Sequence, residues 1–73
     1  MATENIESPV TGTVWKIERK VGDQVNDGDV IMILESMKIE IAVEASNAGT
    51  IIELKVEPDE PVEEDQILCV IEL

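Results

Sequence analysis

The chain has 73 residues, enough for one small domain, and carries seventeen acidic against five basic side chains, a net charge of −12. That balance argues against nucleic acid or an anionic membrane as partner, since both are recognised through basic surface. With no histidine and a single cysteine, it holds no ligand set for a zinc site and no Ser-His-Asp or Cys-His catalytic arrangement.

Residues 1–7 read as a short edge strand around Ile6, which Pro9 ends. Thr13 to Glu18 alternates, with Trp15 and Ile17 on one face and Lys16 and Glu18 on the other, and this places Trp15 in the core. Val21 to Asp29 crowds turn residues around Val25, so two turns flanking a very short strand are expected there. Val30 to Glu35 is an apolar run of strand length. From residue 39 to 44, Ile39, Ile41 and Val43 alternate with Glu40, Ala42 and Glu44. Thr50 to Val56 repeats the earlier alternation, with Ile52, Leu54 and Val56 facing in. Residues 57–66 are rich in Pro, Asp and Glu around Val62, and a last strand covers 67–71. With one Trp and no Phe or Tyr, the core must come from Val, Ile and Leu, the residues of a sheet protein. No segment has a helical period, so the fold class is all-β. Cys69, unpaired in an apolar strand, reads as a buried thiol of a reducing compartment. No run reaches membrane-span length, and Met1 to Ile6 lack a signal-peptide pattern, so a cytoplasmic location is expected.

The strands 30–35 and 39–44 leave room only for a tight hairpin. If Ser36 pairs with Ile39, the turn residues are Met37 and Lys38. Two-residue hairpin turns favour Asn-Gly or another pair that tolerates positive φ, and Met-Lys does not. Such a conflict between local chemistry and context marks a functional position.

The chain also repeats itself without a gap at an offset of 37 residues: Gly12 matches Gly49, Val14 Ile51, Ile17 Leu54, Val25 Val62, Ile31 Leu68, Met32 Cys69 and Glu35 Glu72. Asp59 and Asp65 fall opposite Gly22 and Gly28, and aspartate tolerates the positive φ that those turns call for. Two such halves cannot each bury a core, so they pack as a flattened barrel or sandwich of two short-stranded sheets with quasi-two-fold symmetry. The lysine hairpin and the chain ends then lie at opposite ends.

Glu35-Ser36-Met37-Lys38, the approach Val21-Gly22-Asp23-Gln24-Val25-Asn26-Asp27-Gly28-Asp29-Val30-Ile31, the opening Ser8-Pro9-Val10-Thr11-Gly12-Thr13-Val14 and the second turn Ala48-Gly49-Thr50-Ile51 together resemble the biotinyl domain family, the biotin carboxyl carrier proteins. The resemblance spans nearly the whole chain and implies a barrel-sandwich hybrid that acts as a carrier, not as an enzyme. It nominates Lys38 for a covalent amide to biotin, with lipoate as the alternative cofactor, and an unmodified docking module as a reading of another class. Ser36, Met37, Ile39, Glu35 and Glu40 are then candidates for recognition by a biotin protein ligase. The further partners implied are biotin carboxylase and carboxyltransferase subunits. Two features differ from the family pattern: Ile39 stands where Met usually follows the lysine, and residues 19–20 leave no room for the thumb that some carriers insert.

Overall fold

The computed structural model describes residues 2–73; the first residue of the expected edge strand, Met1, lies outside them. Eight strands follow in chain order: β1 (Thr3–Glu7), β2 (Gly12–Ile17), β3 (Gln24–Val25), β4 (Val30–Ser36), β5 (Ile39–Glu44), β6 (Gly49–Leu54), β7 (Pro61–Val62) and β8 (Ile67–Glu72). They form two antiparallel four-stranded sheets, ordered β1-β8-β6-β3 and β5-β4-β2-β7. No helix occurs among the described residues. β6 is shorter than the sequence pattern suggests, ending at Leu54, yet Val56 beyond it is still buried.

The 37-residue repeat is the architecture. β1 to β4 map onto β5 to β8, and each half gives two strands to each sheet. The core obeys the same offset: Ile6 and Val43, Val14 and Ile51, Val25 and Val62, Ile31 and Leu68, Met32 and Cys69, and Leu34 and Ile71 are all buried pairs. Buried Ser8 stands opposite buried Ala45; its hydroxyl donates to the Val10 carbonyl at 2.6 Å, which satisfies a polar group that burial would otherwise leave costly. One pair departs from the pattern. Val56 is buried, whereas Arg19 opposite it is half-buried, with Nε donating to the Val30 carbonyl at 3.3 Å and the guanidinium 3.9 Å from Asp29. The turns repeat as well: Gly22 and Gly28 have φ of 99° and 91°, and Asp59 and Asp65 opposite them both have φ of 70°.

The expected alternation fails at Trp15 and Ile52, and both fail for one reason. The β2–β4 register shifts between Val14 and Lys16, and the β6–β8 register shifts between Ile51 and Glu53. A β-bulge puts one extra residue in the strand and turns the following side chains over. Val14 and Ile17 therefore both face inward, three residues apart, and Trp15 is left outside, 42% exposed, with Lys16 Nζ 4.5 Å from its ring centroid. Ile52 is 42% exposed in the same way. Trp15 is thus a surface residue, not core. Ile41 faces inward but is only half-buried, because β5 is an edge strand and Val43, further along it, takes the deep position.

Candidate functional site

β4 and β5 pair in register from Leu34↔Ile41 through Glu35↔Glu40 to Ser36↔Ile39, which leaves Met37 and Lys38 as the two turn residues. Both have positive φ, 52° and 68°. A type I′ turn needs this at both central positions, because only then does the turn twist match the twist of the strands. Neither side chain favours it: a non-glycine residue in the left-handed region costs about 1–2 kcal/mol unless, like Asn or Asp, it can bond locally. The strand register imposes the turn, and the sequence does not relieve it.

The consequence is full presentation. Met37 is 92% exposed, Ile39 64% exposed, and Lys38 is exposed between them. Lys38 takes part in neither ion pair found among the described residues. The site is a primary amine on a flexible side chain at the hairpin tip, flanked by two exposed apolar side chains. An amine so placed fits covalent attachment of a cofactor through an amide, since a group bound there projects clear of the protein surface.

The base of the hairpin is held more firmly than its tip. Half-buried Ser36 donates its hydroxyl to the Thr11 carbonyl at 3.0 Å, tying the end of β4 to the loop before β2. Gly12 packs its Cα against the Glu35 carbonyl, where an added Cβ would collide with that oxygen. Gly49 meets the Glu72 carbonyl identically in the other half. Thr11 and Gly12 thus belong to the site, although sequence reasoning did not single them out for it; the match of Gly12 with Gly49 was the signal available. Glu35 and Glu40 are both exposed and sit directly opposite each other across the strands. Like charges in that position are unfavourable, so this pair does not exist for stability. Of the six sequence-selected residues, Glu35, Ser36, Met37, Lys38, Ile39 and Glu40, all lie within this one hairpin end. Cys69 lies elsewhere, in the core, and burial pushes its thiol up to about 11. Among the described residues, no group of three His, Cys, Asp or Glu could hold a metal ion.

The comparisons agree with this geometry. A family profile described as "Biotin-requiring enzyme" matches residues 4–71. A biotin/lipoyl attachment protein of Bacillus subtilis is 39% identical over 59 residues, 81% of this chain and 81% of that protein. A putative urea carboxylase of Emericella nidulans is 39% identical over 69 residues, 90% of this chain and 6% of that protein. The crystal structure of the Kluyveromyces lactis urea carboxylase superposes with a TM-score of 0.93 at 33% identity, over 99% of this chain and 6% of that one. The chain therefore matches one small part of the long carboxylases and most of a short attachment protein. A left-handed Met-Lys turn on a two-fold repeat of short strands, together with a profile match over nearly all of its length, makes this chain a member of the biotin/lipoyl attachment domain family.

Proposed function

We propose that residues 1–73 are a single biotin carrier domain and that Lys38 is its attachment point, serving a biotin-dependent carboxylase in the cytoplasm. The observation that carries this reading is the Met37-Lys38 turn, two non-glycine residues kept in left-handed conformation at the exposed end of the β4–β5 hairpin. Met37 favours biotin over lipoate, because the resemblance associates methionine before the lysine with biotinyl domains. The carboxylases among its relatives support the same choice.

In loading, a biotin protein ligase would grip the tip through Met37 and Ile39, with Glu35 and Glu40 offering charge beside it. The unprotonated Lys38 Nζ then attacks the carbonyl of the acyl-adenylate held by the ligase; a new C–N bond forms, AMP leaves, and the amine gives up its proton. The amide removes the lysine charge and lengthens the arm. Biotin, when attached, supplies the ability to take up a carboxyl group at one active site and release it at another. The protein contributes tethering: a biotin carboxylase and a carboxyltransferase visited by one arm face a high effective concentration of carrier. The rigid hairpin base, set by Ser36 and Gly12, fixes where that arm begins.

Intact mass of the protein isolated from its own cells tests this. The expected spectrum shows the mass added by biotin on the wild type and none on Lys38→Ala. A lipoyl mass instead would move the chain to the other cofactor of the family. An unmodified Lys38 in cells that load other carriers would overturn the reading. Lys38→Ala is expected to change folding stability by no more than about 0.5 kcal/mol in urea unfolding, as for other exposed side chains.

A further inference from the structure

The repeat has a joint, and the joint is the Met37-Lys38 turn. Strands β1 to β4 end at Ser36 and strands β5 to β8 begin at Ile39, so two residues are the whole covalent link between the halves. The halves interlock, since each sheet takes β1 and β3 or β2 and β4 from one half and the corresponding partners from the other. Neither half can bury its core residues alone, because every one of the two sheets is completed by the other half. The link itself is strained at both residues, with φ of 52° and 68° on side chains that gain nothing there. Short hinge loops under strain are the circumstance in which identical halves exchange between copies.

We propose that this chain exchanges halves with a second copy of itself, with Met37-Lys38 as the hinge. In the exchanged pair, β1–β4 of one copy packs on β5–β8 of the other, and every strand pairing of the monomer is kept. The Ser36↔Ile39 pairing becomes intermolecular, and Met37 and Lys38 leave the left-handed region to run as an extended crossover. Three peptide links reach roughly 10 Å, so the two domains must meet hairpin end to hairpin end. That contact covers Met37 and Ile39, the side chains left 92% and 64% exposed in the monomer. It also brings Glu35 and Glu40 of both copies together, so salt favours the pair by screening them. The inference does not depend on what Lys38 carries.

Unmodified full-length chain is unfolded in urea, refolded at low and at high protein concentration, and sized by light scattering and native mass spectrometry. The expected result is a dimer that forms on concentrated refolding, increases with salt, and contains mixed masses when labelled and unlabelled chains are refolded together. Giving the turn Asn-Gly, by Met37→Asn with Lys38→Gly, is expected to lower the dimer fraction roughly tenfold or more, since it removes the strain that opening relieves. Deleting residues 37–38 leaves no turn and is expected to give a dimer with the wild-type circular dichroism. Three outcomes overturn the proposal: a wild type that refolds as monomer at every concentration, a dimer that Asn-Gly leaves undiminished, or a deletion chain that folds as a monomer. Should the deletion chain fail to fold, the Asn-Gly comparison decides.

Discussion

At Met37 and Lys38 the backbone adopts a conformation that suits glycine or asparagine, and neither side chain relieves it. Met37→Asn is expected to raise stability by about 1 kcal/mol in urea, by placing a residue that tolerates the left-handed region. The same change is expected to slow loading of Lys38 by a biotin protein ligase, read as the fraction modified in intact mass. A stabilised but poorly loaded variant is the signature of a residue kept for recognition; unchanged loading would confine Met37 to chance exposure. Cys69 is the contrary case, a residue whose setting suppresses its chemistry. Burial raises its thiol from the ordinary 9.0 to about 11. The neutral form is thus favoured by the folded state, and the contribution of Cys69 to stability is fully present below about pH 9. As pH climbs from 9 toward 11, the unfolded chain ionises first and stability falls. Alkylation of the native protein at pH 8 is expected to be far slower than in urea, and equal rates would mean that the core opens.

The β4–β5 hairpin shows how much of an element can be read before it is seen. Its strands, its two-residue turn and the Ser36↔Ile39 pairing were legible because alternation over 39–44 and the apolar run before it fix the register. The bulges were not legible. An extra residue at Trp15 or Ile52 leaves the composition of a strand unchanged and merely reverses which side chains point in, so period-two reading placed both in the core. The continuous apolar runs 30–34 and 67–71 hid the same device: Ile31 with Met32, and Leu68 with Cys69, are consecutive buried residues at register shifts. Nor does sequence alone show how close Gly12 comes to Glu35. Gly12→Ala is expected to push β2 away from the hairpin base and to cost about 1–3 kcal/mol in urea unfolding. If Gly12→Ala were neutral, the close approach would have slack, and the hairpin base would be less fixed than the geometry implies.

For the molecule as a whole, the 37-residue offset was the most informative feature of the sequence. It anticipated the positive φ of Asp59 and Asp65 and four of the six pairs of buried apolar residues, Ile6 with Val43 and Leu34 with Ile71 emerging only in the structure. It could not give the depth of each position, which depends on where a strand lies in its sheet. Ile41, on an edge strand, is half-buried, whereas Leu34 next to it is fully buried. Leu34→Ala is accordingly expected to cost about 2–5 kcal/mol and Ile41→Ala clearly less, both followed by far-UV circular dichroism. Equal losses would mean that β5 is packed as deeply as β4.

The symmetry between halves does not extend to the order in which they are assembled. Two seams are symmetry mates: β4 with β5, closed by a two-residue turn, and β1 with β8, where Thr3 pairs with Glu72 and the Leu73 amide donates to the Ala2 carbonyl at 2.9 Å. The first closes locally, while the second must bring together residues from the far ends of the sequence, at a larger loop-closure cost. The local seam is therefore the natural nucleus of folding, and its turn is the strained one. Strain in a nucleus acts on the rate of folding more than on the rate of unfolding. Met37→Asn is then expected to raise the refolding limb of a stopped-flow chevron to faster rates, with its slope kept, and to leave the unfolding limb in place. The residue pair proposed for loading would also be what makes each newly made chain slow to close.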